Sequence, residues 1–128
     1  MKTIIGLILM LLTVNVVMAQ QSEKKYRIAQ IEVYSEYLEA YKSALEEHAH
    51  TAVQVEPGVL ALQAVYNKEH PTQVTVFEVY ASEEAYQLHL KAPHFLKYKN
   101  TTTNMVKSLQ LIEAGPIAIS IKPVLLKE

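Results

Sequence analysis

The sequence predicts an α+β domain in which helices cover one face of an antiparallel sheet. Segments with apolar residues at every second position alternate with segments whose apolar residues recur every three or four positions. The two middle strand segments are separated only by a short polar loop, which indicates a hairpin. With 128 residues, half of them hydrophobic, the chain is long enough for one domain with its own core.

The first strand is predicted over Tyr26–Tyr34, where the apolar residues alternate between the two faces. Ser35 is a candidate N-cap for a long helix over Glu36–Val55. Its apolar face recurs at spacings of three and four and comprises Leu38, Tyr41, Leu45, His48, Ala52 and Val55. Pro57 and Gly58, in the run Glu56-Pro57-Gly58, break the helix and turn the chain.

Two further strands are predicted over Val59–Asn67 and Gln73–Tyr80, joined by the loop Lys68–Thr72 as an antiparallel hairpin. Both strands are apolar on both faces, although helices can cover only one face of the sheet. The sequence therefore predicts that the other face packs on a second copy of the chain, as a symmetric homodimer that forms an α+β barrel.

The last third of the chain predicts a split second helix followed by a fourth strand. Ser82 caps a short helix over Glu83–Leu90, and Pro93 opens another over about His94–Val106. One face of this helix is expected to carry Phe95, Tyr98, Thr102, Met105 and Leu109. The alternating run Ile117–Ile121 is predicted as strand four. The order β-α-β-β-α-β is that of the ferredoxin-like fold.

The N-terminus has the pattern of a secretory signal peptide. Lys2 precedes an apolar run over Ile4–Val17, and Val17-Met18-Ala19 resembles a cleavage site. We therefore expect a signal peptide over residues 1–19, a polar leader over 20–25, a domain over 26–123 and a tail over 124–128. The predicted location is outside the cytoplasm, periplasmic or secreted from a bacterium, with no membrane anchor left after processing.

Composition excludes several functions. The chain has no cysteine, which rules out disulfides, thiol catalysis and thiolate metal sites. The net charge is −1 and Arg27 is the only arginine, so no basic stripe for nucleic acid is present. Among the histidines near the predicted site no tight ligand spacing such as H-x-x-x-H occurs, and the sequence predicts no metal site.

The motifs around the third strand resemble the antibiotic biosynthesis monooxygenase family, most closely its quinol-monooxygenase-like branch. The resemblance rests on Glu56-Pro57-Gly58, Phe77-Glu78-Val79-Tyr80, Ser82-Glu83-Glu84-Ala85, His89 and Pro93-His94-Phe95. It implies a dimeric α+β barrel and an oxidoreductase that oxidises quinols or phenols with O2 and needs no cofactor. Two other branches fit less well. Haem degraders use a tryptophan, which the chain lacks, and an asparagine, which its first strand lacks. The isomerase branch acts on a phosphorylated substrate, which does not suit an exported protein.

His89 and Glu78 are the predicted catalytic residues. A neutral imidazole can take a quinol or phenol proton, and Glu78, which is predicted on the inward strand face, can orient it. The expected substrate-binding residues are His48, Tyr66, Phe77, Tyr80, His94 and Phe95. For each of these residues the competing interpretation is a side chain that only packs in the core. The leading function is thus a monooxygenase for a small aromatic or quinol substrate, and the alternative is a non-catalytic dimer that binds a small molecule.

The signal-peptide interpretation predicts the N-terminus of the exported protein. Because cleavage is expected after Ala19, N-terminal sequencing of exported material should start at Gln20 or Gln21. A membrane-bound product that still carries Met1 would contradict both the predicted location and the predicted start of the domain.

Overall fold

The computed structural model describes residues 22–127, and the predicted signal peptide lies outside them. Four strands and three helices follow one another, with short 3-10 turns at Ser35–Tyr37, Thr103–Met105 and Pro123–Lys127. The strands and helices in chain order are β1 (Lys25–Val33), α1 (Leu38–Val55), β2 (Val59–Tyr66), β3 (Gln73–Tyr80), α2 (Glu83–His89), α3 (Pro93–Thr102) and β4 (Val106–Ala114). No helix within residues 22–127 has the length and apolar character needed to span a bilayer.

The strands form one sheet in the order β2-β3-β1-β4, and every neighbouring pair is antiparallel. The helices α1 and α3 contact each other, and α1 also contacts β2. The main core lies between the helices and the central strands and consists of Ala29, Ile31, Val33, Tyr41, Leu45, Val74 and Val76. This arrangement confirms the predicted α+β, ferredoxin-like fold with a split second helix.

The predicted fourth strand is wrong. Residues 117–121 have no regular secondary structure, and β4 is instead Val106–Ala114, which pairs with β1 along its whole length. The helix predicted to reach Val106 ends at Thr102, so Leu109 lies on β4 rather than on a helix. Val106–Ala114 contains enough apolar residues to resemble the apolar face of a helix. The alternating isoleucines of residues 117–121 resemble a strand, but they pair with no other strand within residues 22–127.

Of the two predicted helix N-caps, one forms in the structure and the other does not. The Ser82 hydroxyl accepts a hydrogen bond from the Ala85 amide at 3.0 Å, which confirms it as the N-cap of α2. Ser35 does not cap α1, because it lies in the preceding 3-10 turn and makes no capping hydrogen bond.

Gly58 holds the turn after α1 against α2. A methyl group placed on it would meet the Ala85 Cβ at 2.5 Å, and its carbonyl accepts a hydrogen bond from the Ala81 amide at 2.8 Å. Only a residue without a side chain therefore permits this approach of the turn to the first residues of α2.

Replacing Gly58 by alanine should lower the free energy of unfolding by about 1–3 kcal/mol, because the new methyl group overpacks the contact with Ala85. Urea unfolding measures the effect. Gly115→Ala is the matched control, since no atom lies within 4 Å of the added methyl group, and it should change little. Ala85→Gly in the Gly58→Ala background should recover part of the loss. Equal stability of the two alanine variants would contradict the close approach.

Candidate active site

The candidate site begins where α1 ends. Glu56 follows the last helical residue in an extended conformation, and its amide donates to the Ala52 carbonyl. Pro57 and Gly58 then turn the chain into β2, and the Gly58–Ala85 contact brings α2 alongside. The Glu56 side chain is thereby directed at the histidines of α2 and α3.

One carboxylate oxygen joins two histidines. His89 Nδ1 and His94 Nε2 each lie 2.7 Å from Glu56 Oε2. His89 is 1% exposed, whereas the side chains of Glu56 and His94 keep 16% and 14% of their surface. A neutral imidazole that donates from Nδ1 has its lone pair on Nε2. The Glu56 contact therefore favours the tautomer of His89 in which Nε2 is the acceptor.

His89 is also the group that connects this network to the main cavity. The cavity has a volume of about 540 Å³ and lies between the sheet and the helices. His89 contributes to its lining, whereas Glu56 and His94 lie behind His89 and do not. Most of the lining is apolar, including Ile31, Leu45, Leu62, Val76, Leu109 and Leu111. The cavity is large enough for a small aromatic ligand.

Burial lowers the pKa of the two histidines that line the cavity, His89 and His48. It lowers the pKa of His89, Glu56 opposes that shift, and the neighbouring His94 adds to it. His48 on α1 is buried as well, and burial together with His89 and His94 lowers its pKa to about 4. The His48 ring stacks on Tyr98 with the ring centres 4.8 Å apart. At neutral pH both cavity imidazoles are therefore uncharged.

A second polar group of the cavity lies on β1 and β3. Arg27 on β1 is the cross-strand partner of Glu78 on β3, and both residues line the cavity together with Tyr80. Burial raises the pKa of Glu78, an effect that Arg27 opposes. The Arg27 guanidinium lies 4.4 Å from the centre of the Tyr86 ring, and its Nε forms an ion pair with Glu113 Oε1 at 3.5 Å. Burial and the neighbouring Glu78 carboxylate raise the pKa of the Tyr80 hydroxyl. A ligand in the cavity would therefore meet a polar group that is already partly paired within the protein.

The structure changes the predicted partner of His89. Glu78 was expected to orient the imidazole, but Glu56 holds its Nδ1, and Glu78 faces Arg27 and Tyr80 instead. In the sequence, Glu56 reads only as part of a helix-breaking turn. One signal in the sequence pointed to a functional role for Glu56, namely its place in the Glu56-Pro57-Gly58 motif on which the family resemblance partly rests.

The predicted substrate-binding residues divide into two groups. His48, Tyr80 and Phe95 line the cavity with His89, and His94 lies behind His89. Phe77 and Tyr66 do not line the cavity. Phe77 pairs with Tyr26, with the ring centres 6.4 Å apart, and alternates in the strand with the cavity residues of β3. Tyr66 is 47% exposed and lies under the Lys42 ammonium. Arg27, which is not among the predicted site residues, also lines the cavity.

Comparison with known proteins identifies the family. The sequence profile of the antibiotic biosynthesis monooxygenases matches residues 26–101, more than half of the chain. The chain belongs to this family. Membership supports a monooxygenase-type function and extends to most of the elements that build the site. No curated protein matches the chain.

Solved structures agree with this assignment. A protein from Bacteroides thetaiotaomicron assigned to the antibiotic biosynthesis monooxygenases is 43% identical, with 78% of this chain and 95% of that chain covered and a TM-score of 0.75. A Lactobacillus acidophilus protein assigned as a monooxygenase is 32% identical over 71% of this chain, with a TM-score of 0.68, and only 43% of its own length is covered. A Nitrosomonas europaea protein, at 19% identity and a TM-score of 0.70, shares the fold.

Proposed function

We propose that the protein is a cofactor-independent monooxygenase that oxidises a quinol or another electron-rich phenol with O2. The observation that carries this proposal is the hydrogen bond between His89 Nδ1 and Glu56, which leaves Nε2 as the acceptor of an imidazole that lines a mostly apolar cavity. Family membership supports the reaction type.

His89 acts as the general base in this proposal. Its lowered pKa keeps the imidazole neutral before the reaction, so that Nε2 accepts the hydroxyl proton of the substrate. Glu56 then stabilises the imidazolium across the Nδ1 hydrogen bond. The deprotonated substrate passes an electron to O2. For a quinol, one oxygen atom enters the ring, the other leaves as water, and the product is a hydroxylated quinone, so the substrate supplies all the electrons.

The Arg27, Glu78 and Tyr80 group binds the substrate at a second polar position. Arg27 donates hydrogen bonds, and Glu78 accepts one when it is ionised, so together they suit a hydroxyl group rather than an aliphatic substituent. Ile31, Val76 and Leu111 provide flat apolar contact for the ring between the two polar positions. A quinol, which carries two hydroxyl groups on one ring, fits this distribution of polar groups.

Removing the base should abolish most turnover. His89→Ala should reduce kcat/KM by ~10²–10⁴-fold, because a general base typically contributes that factor. O2 consumption over a panel of quinols, with protein freed of metals by a chelator, measures the effect. His50→Ala is the matched control, since the His50 side chain is 74% exposed and lies outside the cavity lining.

The variants Glu56→Gln and Glu78→Gln distinguish the roles of the two carboxylates in the same assay. Glu56→Gln should lower kcat, and Glu78→Gln should act mainly on KM. A folded His89→Ala variant that keeps wild-type turnover would overturn the role of His89. A wild-type protein that binds quinols but oxidises none would favour the alternative of a non-catalytic binding protein.

We also propose that the protein is a homodimer that pairs through the sheet face opposite the helices. Phe77 lies on this face, and Val65, which is 64% exposed in the single chain, shares it. The C-terminal segment also exposes apolar side chains, because Ile117, Ile119 and Ile121 are 104%, 52% and 43% exposed in the single chain. A second copy would remove these apolar groups from water.

Light scattering should therefore give the mass of a dimer at micromolar concentration. Val65→Glu should shift the equilibrium toward monomer, because a carboxylate on the paired face loses its hydration. Leu88→Glu is the control, since Leu88 on α2 is similarly exposed at 69% but belongs to the helical layer. A monomeric wild type, or equal effects of the two variants, would contradict this interface.

A further inference from the structure

Three potential metal ligands converge at the end of α1. Glu56 Oε2, His89 Nδ1 and His94 Nε2 all lie within 4.8 Å of one another. They come from the end of α1, the last residue of α2 and the second residue of α3. The Gly58–Ala85 contact fixes α2 against the turn that carries Glu56. The set therefore belongs to a packed part of the fold and not to an exposed acidic patch.

We propose that Glu56, His89 and His94 form a binding site for a transition-metal ion of the Zn²⁺ type, and that the bound ion switches His89 off as a base. The metal site stands on the geometry alone, and the switch rests on the function proposed above. Two imidazoles and one carboxylate are a common three-residue ligand set for zinc, which leaves a fourth position for water or another ligand.

The ligand atoms need only small movements to accept the ion. Zn²⁺ binds imidazole nitrogen and carboxylate oxygen at about 2.0–2.2 Å, which in a tetrahedral site separates ligand atoms by about 3.4 Å. The present nitrogen–oxygen separations are 2.7 Å, as expected for hydrogen bonds in the metal-free protein. Each nitrogen–oxygen separation must therefore lengthen by about 0.7 Å, and the His89–His94 nitrogen separation, which is at most 4.8 Å, must come to about 3.4 Å. Side-chain rotation can supply movements of this size.

The ion has a route to the site that avoids the main cavity. Glu56 and His94 retain some exposure, and His94 lines a separate small pocket beside Glu47 and Lys97. Mixed nitrogen and oxygen ligands favour Zn²⁺ over Mg²⁺, because Mg²⁺ prefers six oxygen ligands.

Metal binding and proton abstraction by His89 exclude each other. In the metal-free protein Nδ1 carries the proton, which it donates to Glu56, and Nε2 has the lone pair. Coordination uses the lone pair of Nδ1, so in a neutral imidazole the proton must move to Nε2. His89 then presents a donor instead of an acceptor to the cavity, and it can no longer take a proton from a substrate.

Calorimetric titration of ZnCl₂ into chelator-treated protein tests the site. We expect one Zn²⁺ per chain, and MgCl₂ should give no saturable heat. Glu56→Gln and His94→Gln should each weaken Zn²⁺ binding by ~10–100-fold or more, the range that loss of even an outer-shell partner causes. His50→Gln should leave the site intact, and it removes the exposed His50–Glu46 pair as a competing site. Absence of saturable binding, or wild-type affinity in Glu56→Gln and His94→Gln, overturns the proposal.

Long-range ¹H–¹⁵N spectra of the imidazoles test the switch without any turnover. The proton of His89 should be on Nδ1 in the metal-free protein and on Nε2 after addition of one equivalent of Zn²⁺. An unchanged tautomer at full occupancy overturns the switch but leaves the metal site. If the protein oxidises a quinol, the same equivalent of Zn²⁺ should abolish the activity, and a chelator should restore it. The protein could also bind Zn²⁺ with the tautomer change and yet oxidise no quinol. That result would refute the proposed function and leave the metal site standing.

Discussion

The site depends on one carboxylate oxygen that accepts hydrogen bonds from two histidines. Glu56 Oε2 joins the end of α1 to His89 on α2 and to His94 on α3. An unpaired buried donor costs about 1–3 kcal/mol, so loss of Glu56 would affect all three elements as well as the orientation of His89. The split of the second helix at Pro93 is what allows two histidines from consecutive helices to approach the same oxygen.

The two sides of the cavity differ in their side chains, although the Arg27–Glu78 pair lies on the sheet side. The central strands supply an aliphatic floor from residues such as Ala29 and Val76, and the helices bring His48, His89 and Phe95 over it. Because α3 ends at Thr102, Leu109 and Leu111 on β4 face the cavity and remain at least half exposed in the single chain. An aromatic substrate would thus meet imidazoles on the helical side, and apolar surface beside the Arg27–Glu78 pair on the sheet side.

Local patterns in the sequence were enough to predict β1–β3, the helices and the cap at Ser82, because each depends on neighbouring residues. The fourth strand was misplaced because 106–114 and 117–121 both carry apolar patterns, and pairing with β1 decides between them. The partner of His89 was missed for the same reason. Glu56 lies 33 residues before it, and only the packing of α2 on the Gly58 turn brings the two together.

The position of Glu56 relates the proposed base to the proposed metal site. A base needs the lone pair of His89 on the cavity side, and a metal ligand needs it on the side of Glu56. The carboxylate favours the first state, because it accepts the Nδ1 proton, and a divalent ion favours the second, because it replaces that proton. Burial holds the imidazole neutral, so only one of its two nitrogens has a lone pair at any moment. Under the two proposals, the occupant of the space beside Glu56 decides whether His89 acts as a base or as a metal ligand.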